Sequence, residues 1–304
     1  MPLTRRAMVL GTAAALAVPG AAPASADTLR TIPSTIPSSG ARVPAIGLGS
    51  WITFNVGSDP VLLDSCADVI AAFVEEGGGM IDSSPMYGSS QDTIGYGLRK
   101  LGHPSTVFST DKVWTRSAGR GPAQIEQTRT AWGVETFDLL QVHNLVSWEA
   151  HLETLFGMKQ DGQLRHVGLT TSHGRRHDLL ERLMTDHPVD FVQLTYNLAD
   201  RAAERRLLPL AREKGIAVIA NRPFRRGALP RALQGRPLPG IGGDLDAGTW
   251  PQLLLKFIIS HPALTVAIPA TTRVAHLREN KAAARGPLPD ADMRRRIVSH
   301  FESL

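Results

Sequence analysis

One pattern constrains this chain more than any other. Short apolar runs alternate with segments of helical periodicity, eight times in succession. The runs are 43–48, 79–82, 106–112, 137–143, 166–170, 190–194, 217–220 and 264–268. Between and after them lie amphipathic segments at 61–76, 91–101, 122–132, 148–160, 175–186, 201–214, 250–260 and 274–284. Short apolar runs bounded by turn residues read as parallel strands buried on both faces, and the amphipathic segments as the helices that cover them. Eight such units predict an α/β fold, a (β/α)8 TIM barrel. A length of 304 residues suits one large barrel. A doubly wound open sheet is the alternative, but it wants a glycine fingerprint that opens a helix. Here "GLGS" (47–50) runs on to Trp51 and Pro60 instead. Segment 31–39 predicts a short N-terminal hairpin capping the barrel floor, and 289–301 a C-terminal helix. The stretch 222–248, rich in Gly, Pro and Arg, is a long loop of the kind that carries function.

The first 26 residues read as an export signal, leaving 27–304 for the barrel. Arg5 and Arg6 precede a mild apolar run, and Ala24-Ser25-Ala26 fits a signal-peptidase site. Paired arginines before such a run point to the twin-arginine machinery and an exported, periplasmic or extracellular protein. The run is too short to span a membrane, so no stable insertion is expected after cleavage. Two of the 33 Lys and Arg lie in this leader, so the remainder carries 31 cations against 28 acids, a mild +3. That charge, without a basic and aromatic stripe, excludes nucleic acid as a partner. Cys66 is the only cysteine, which excludes an internal disulfide. Its place on an amphipathic segment predicts a core thiol.

Barrels of this kind carry their chemistry at the C-terminal ends of the strands. Asp82 ends the second predicted strand, with Tyr87 on the loop after it. Lys112 ends the third and His143 the fourth, followed by Asn144. Thr170 ends the fifth, Gln193 nears the end of the sixth, and Asn221 follows the seventh. Taken singly, each is an ordinary cap, half-buried ring or solvated tip. Four proton-exchanging groups on three consecutive strands around one mouth are harder to explain as packing. The histidines are too scattered for a metal site, so none is expected.

These motifs resemble those of the aldo-keto reductases. The resemblance runs over essentially all of 31–284: "GLGSW" (47–51), "IDSSPMYG" (81–88), "KVW" (112–114), "QVHN" (141–144), "VGLTTS" (167–172), "VQLTYN" (192–197) and "IPATTRVAHLREN" (268–280). Stretches such as "IDSSPMYGSS" (81–90) and "NRPF" (221–224) are similar to those of exported bacterial members. The resemblance implies an oxidoreductase that reduces an aldehyde or ketone by hydride transfer from NAD(P)H. It implies a catalytic tetrad of Asp82, Tyr87, Lys112 and His143. Tyr87 would give the proton, Lys112 would tune it, Asp82 would hold the lysine, and His143 would orient the carbonyl oxygen. A free phenol near pKa 10 is a weak acid; an ammonium within ~4 Å would lower that value by at most about three.

The same resemblance implies a cofactor site at Thr170, Thr171, Gln193, Asn221, Arg222, Arg225, Arg226, Thr271, Arg273, His276 and Asn280. Two threonines stand in place of a serine–asparagine pair, and Asn221 in place of a ring stacked on the nicotinamide. Arg222, Arg225 and Arg226 would clamp a pyrophosphate. Ala270 replaces a lysine, leaving Thr271, Arg273 and His276 for an adenosine 2′-phosphate. Arginine matches phosphate geometry, which points to NADP rather than NAD. Trp51, Trp114 and Asn144 would line the substrate pocket. A monomer is expected; an open mouth is expected too, since the chain ends soon after its last helix. Two rivals remain: a non-catalytic nucleotide-binding or redox-sensing barrel, and an unrelated barrel hydrolase or isomerase using Asp82 and His143.

Overall fold

The computed structural model describes residues 32–304. The predicted leader, 1–26, lies outside them. A two-stranded hairpin comes first, β1 (Pro33–Thr35) against β2 (Arg42–Pro44), antiparallel. The eight barrel strands follow: β3 (Leu48–Gly49), β4 (Gly79–Asp82), β5 (Val107–Val113), β6 (Phe137–Val142), β7 (Leu164–Thr170), β8 (Phe191–Thr195), β9 (Ala217–Asn221) and β10 (Val266–Ala267). They pair in chain order, all in parallel. Bridges Ile46↔Ala267 and Gly49↔Ala270 join the first strand to the last and close the ring.

Helices cover the outside: α1 (Pro60–Glu75), α2 (Ser90–Lys100), α3 (Gly121–Trp132), α4 (Trp148–Gln160), α5 (His177–Asp186) and α6 (Leu207–Lys214). The long loop after β9 holds two short helices, α7 (Ala228–Ala232) and α8 (Ile241–Asp244). Then come α9 (Trp250–Ile259), α10 (Val274–Ala282) and α11 (Ala291–Glu302). Helix starts follow from local chemistry. Asp59 accepts from the amides of Val61 and Leu62 ahead of Pro60, and Thr249 accepts from Gln252 ahead of Pro251. None of the described helices is long and apolar enough to cross a membrane. Cys66 is buried on α1, where burial pushes its thiol up to about 11.

The barrel's first strand departs from expectation. The run 43–48 is not one element: its start belongs to the hairpin and its end leads into β3. The hairpin accordingly reaches beyond 31–39 to Pro44. The pairing partner changes along it: Val43 and Pro44 pair with β1, whereas Ile46 bridges Ala267 of the last strand. A Cβ on Gly47 would lie 2.7 Å from the Met80 carbonyl oxygen, and one on Gly49 2.7 Å from that of Ile268. The "GLGS" glycines thus let β3 squeeze between its neighbours, a packing role rather than a phosphate-binding one.

Side chains alternate along each strand, so residues two apart share the barrel interior. Met80, Phe108, Leu139, Phe191, Ile219 and Val266 form an apolar lower layer, closed from below by Ile36 and Val43 of the hairpin. Two residues further along β4 and β8 the interior turns polar at Asp82 and Gln193. The same step on β6 gives Gln141, and two such steps on β5 give Lys112. Along these inward-facing rows the charged groups, Asp82 and Lys112, therefore stand at the mouth end.

Candidate active site

Lys112 is fully buried and gives its ammonium to Asp82 Oδ2 at 2.7 Å and to the Ser83 carbonyl at 2.6 Å. The other oxygen of Asp82 accepts from Gln193 at 2.9 Å and from Gln141 at 3.4 Å. A buried ion pair is tolerable when its remaining lone pairs are met in this way. Burial works against the lysine's charge, yet Asp82, Tyr87 and Asp111 together raise its pKa. The ammonium lies 5.2 Å from the centre of the Tyr87 ring. His143 packs edge-on against that ring at 5.8 Å between centroids, and its Nδ1 is 2.7 Å from Ser84 Oγ. Trp51 and Trp114 flank the pair, 6.4 Å from Tyr87 and 6.4 Å from His143 respectively. The four groups named from the sequence thus meet in space.

The protonation states differ from the simple expectation. Burial pushes the Tyr87 phenol up to about 12, with Asp82 and Asp111 adding to it and Lys112 only partly opposing. The lysine does not bring the resting phenol toward neutrality, because desolvation outweighs it. Burial, aided by Lys112, holds His143 down to about 2. The site at rest carries a protonated phenol and a neutral imidazole.

These groups open into a cleft of about 500 Å³, within the range of small-molecule sites. Asn144, Thr170, Thr171, Gln193, Asn221, Arg222, Arg226, Thr271, His276 and Asn280 line it. Arg225 and Arg273 do not. Arg225 turns outward to Asp200 at 3.1 Å, and Arg273 stands exposed at the start of α10. Trp114 stands beside His143, 41% exposed, at the rim rather than in the lining. Thr170 spends its hydroxyl on the Asn144 amide at 2.9 Å. Asn221 is similarly engaged: it accepts from Thr195 and donates to the Thr171 carbonyl, at 2.7 and 2.9 Å.

Two polar atoms in this wall are buried without a partner among the described residues: Thr171 Oγ1 and a terminal guanidinium nitrogen of Arg222. Arg222, Arg225 and Arg226 all adopt left-handed backbone angles, φ 53°, 48° and 60°. That conformation is uncommon outside glycine and marks strain held by its surroundings. Arg226 stacks on Trp51 at 4.2 Å, joining the loop after β9 to the loop after β3. Burial and then Arg226 lower the Arg222 pKa; burial followed by Arg222 and Arg226 does the same to His173. This wall is positive and incompletely bonded, which fits an anionic, phosphate-bearing ligand such as a dinucleotide.

The matching family model is that of the aldo/keto reductase family, over residues 45–240. The chain belongs to that family. Among its relatives is an NADH-specific methylglyoxal reductase of Escherichia coli, 25% identical over 81% of this chain and 91% of that protein. Another methylglyoxal reductase of E. coli, YeaE, is 26% identical over 83% and 89%. An uncharacterised oxidoreductase of Schizosaccharomyces pombe is 34% identical, over 50% of this chain and 48% of that one. In fold the chain resembles an aldo/keto reductase from Klebsiella pneumoniae in complex with NADP and acetate. That likeness has a TM-score of 0.72 at 23% identity, covering 88% and 95%. The holo form of an aldo-keto reductase from Bacillus halodurans gives 0.74 at 18%, covering 89% and 96%.

Sequence reasoning passed over several residues of the site, Ser84, Gln141 and Glu279 among them. Ser84 lies inside "IDSSPMYG" but passed as a loop serine. Gln141 was legible only from its spacing, two before His143 on β6. Glu279 reaches the cleft beside Asn280 and accepts from Thr249 at 2.7 Å.

Proposed function

We propose that this protein reduces a small aldehyde or ketone to the alcohol with NAD(P)H, Tyr87 giving the proton. One observation carries the reading. A fully paired Asp82–Lys112 couple lies beside a protonated phenol and a neutral imidazole, at one end of a cleft whose other wall is cationic and under-bonded. A reduced nicotinamide, when bound, supplies the hydride. Thr171 and Gln193 would hold its carboxamide end, and Arg222 and Arg226 its phosphates. His143 would donate to the carbonyl oxygen and fix its direction. Tyr87 would pass its proton to that oxygen as negative charge builds there. Lys112 would stabilise the phenolate left behind, its own position held by Asp82.

The NADP reading rests on Thr271 and His276 in the cleft with the exposed Arg273 beside them, and the NADH-specific relative is the reason to test it. The methylglyoxal reductases among the relatives put small dicarbonyls first in a substrate panel. Turnover of that panel with NADPH and with NADH, read as loss of nicotinamide absorbance, tests the proposal. No turnover with either nucleotide would overturn it, and a preference for NADH would overturn the 2′-phosphate assignment.

The leader extends the proposal to export by the twin-arginine route with the nucleotide already bound. Retention over hours needs an off-rate of ~10⁻⁴ s⁻¹, and so a Kd of ~10⁻¹⁰ M at an on-rate of ~10⁶ M⁻¹ s⁻¹. Mass spectrometry of nucleotide released from exported protein checks this. An apo preparation that binds NADPH only at micromolar level would sink it.

A further inference from the structure

We infer that Ser84 sets the tautomer of His143, so that the imidazole presents an N–H rather than a bare nitrogen to the cleft. For its catalytic consequence the inference rests on the carbonyl-reduction reading; for its geometry it does not.

Ser84 is fully buried at the turn that leaves β4. Its Oγ has two hydrogen-bond partners among the described residues: the Met86 amide at 3.2 Å and His143 Nδ1 at 2.7 Å. The Met86 N–H can only donate. A hydroxyl has one proton to give and can accept two. Were Nδ1 also protonated, Ser84 would accept twice, and its own buried proton would be left without an acceptor. Buried polar groups avoid that state because nothing replaces the lost water. Ser84 Oγ–H therefore donates to Nδ1.

His143 is neutral, since burial and the Lys112 ammonium both oppose a second ring proton. A neutral imidazole has one N–H, and with Nδ1 accepting it falls on Nε2. Nε2 has no partner among the described residues, while the ring lines the cleft beside Tyr87. The N–H thus faces the place where a carbonyl oxygen would meet the phenol.

The same hydroxyl caps the short turn Pro85–Tyr87. One side chain therefore ties the proton donor's turn to the ring that orients its acceptor. Ser84 is a positioning residue: it acts on substrate through His143.

The test uses the full chain labelled with ¹⁵N-histidine, with the His143 signals assigned by comparison with His143→Gln. Wild type should show a neutral ring protonated at Nε2. In Ser84→Ala the signals should shift toward Nδ1 protonation, and kcat/KM for a carbonyl should fall about tenfold. The Kd for NADPH should stay within about twofold in the same variant. Ser84→Thr, which keeps the hydroxyl, should restore both signals and rate. A wild-type ring protonated at Nδ1 would overturn the inference, even if every Ser84 variant failed to fold. So would Ser84→Ala with unchanged signals and full activity. Absence of carbonyl turnover in wild type would instead remove the functional reading and leave the tautomer decided by the spectrum alone.

Discussion

Lys112 lies buried behind the wall of the cleft that Arg222 lines, and the protein treats these two cations in opposite ways. Lys112 is fully buried, and its ammonium meets Asp82 and the Ser83 carbonyl. Arg222 is partly exposed and its backbone is left-handed. It has a second arginine nearby and one guanidinium nitrogen without a partner. In the proposed function the difference separates two tasks. Proton transfer needs groups whose positions and charges are settled before the substrate arrives, so that none must reorganise during the reaction. Nucleotide binding gains most when the ligand itself supplies the missing countercharge.

Tyr87→Phe gives the largest effect and probes the settled end. It removes one oxygen and keeps the ring. Reductive kcat/KM should fall about 10³-fold, while the Kd for NADPH moves less than about twofold. Fluorescence titration beside steady-state rates measures both. Joint loss of rate and nucleotide binding would break the division, because Tyr87 would then be holding the cleft in shape.

Next come matched removals of the two cations. Lys112→Met leaves the Asp82 carboxylate buried without its cation and should cost about 3–5 kcal/mol in urea unfolding. Arg222→Gly should do the reverse. Glycine accepts φ 53° without strain, so stability should hold or rise by up to ~1 kcal/mol. Affinity for NADPH should drop about 10- to 100-fold, as befits a lost charge-assisted contact. If Arg222→Gly lost stability and kept affinity, the comparison would invert.

The same contrast explains what could be read from the sequence. Barrel strands β4 to β9 were legible because a strand buried on both faces must be a continuous apolar run. That Asp82, Tyr87, Lys112 and His143 meet was legible because strand ends in a barrel share one mouth, whatever their separation along the chain. The first strand was not, since 43–48 is equally apolar on both sides of the break, and only the change of pairing partner, from β1 to the last strand, divides it. The arginine loop was legible in composition but not in direction. Nothing in "NRPFRRG" shows that Arg225 turns to Asp200 while Arg226 turns to Trp51. Protonation was the least legible. Side-chain types suggest an ammonium lowering a phenol, and only burial shows that desolvation wins.

The smallest expected effect is the pH profile. The proposed reduction needs Tyr87 protonated and His143 neutral. Tyr87 loses its proton only as pH rises through about 12. His143 gains a second proton only as pH falls through about 2. From roughly pH 5 to 9 neither changes state, so neither puts a limb in kcat/KM there. Asp111, whose charge acts on Tyr87, does titrate in this window. Burial pushes its carboxyl up to about 7, although the Lys112 amide, Gln91 and Trp132 all donate to it. Its negative charge helps hold the Tyr87 phenol up, so its protonation on acidification makes phenolate formation easier. The rate should therefore rise below pH 7 by no more than about threefold, and Asp111→Asn should flatten the rise. A steep fall on acidification near 6.5, the ordinary imidazole value, would show instead that His143 titrates. The proton-transfer end would then be as open to water and ligand as the arginine wall, and the contrast between the two cations would lose its physical basis.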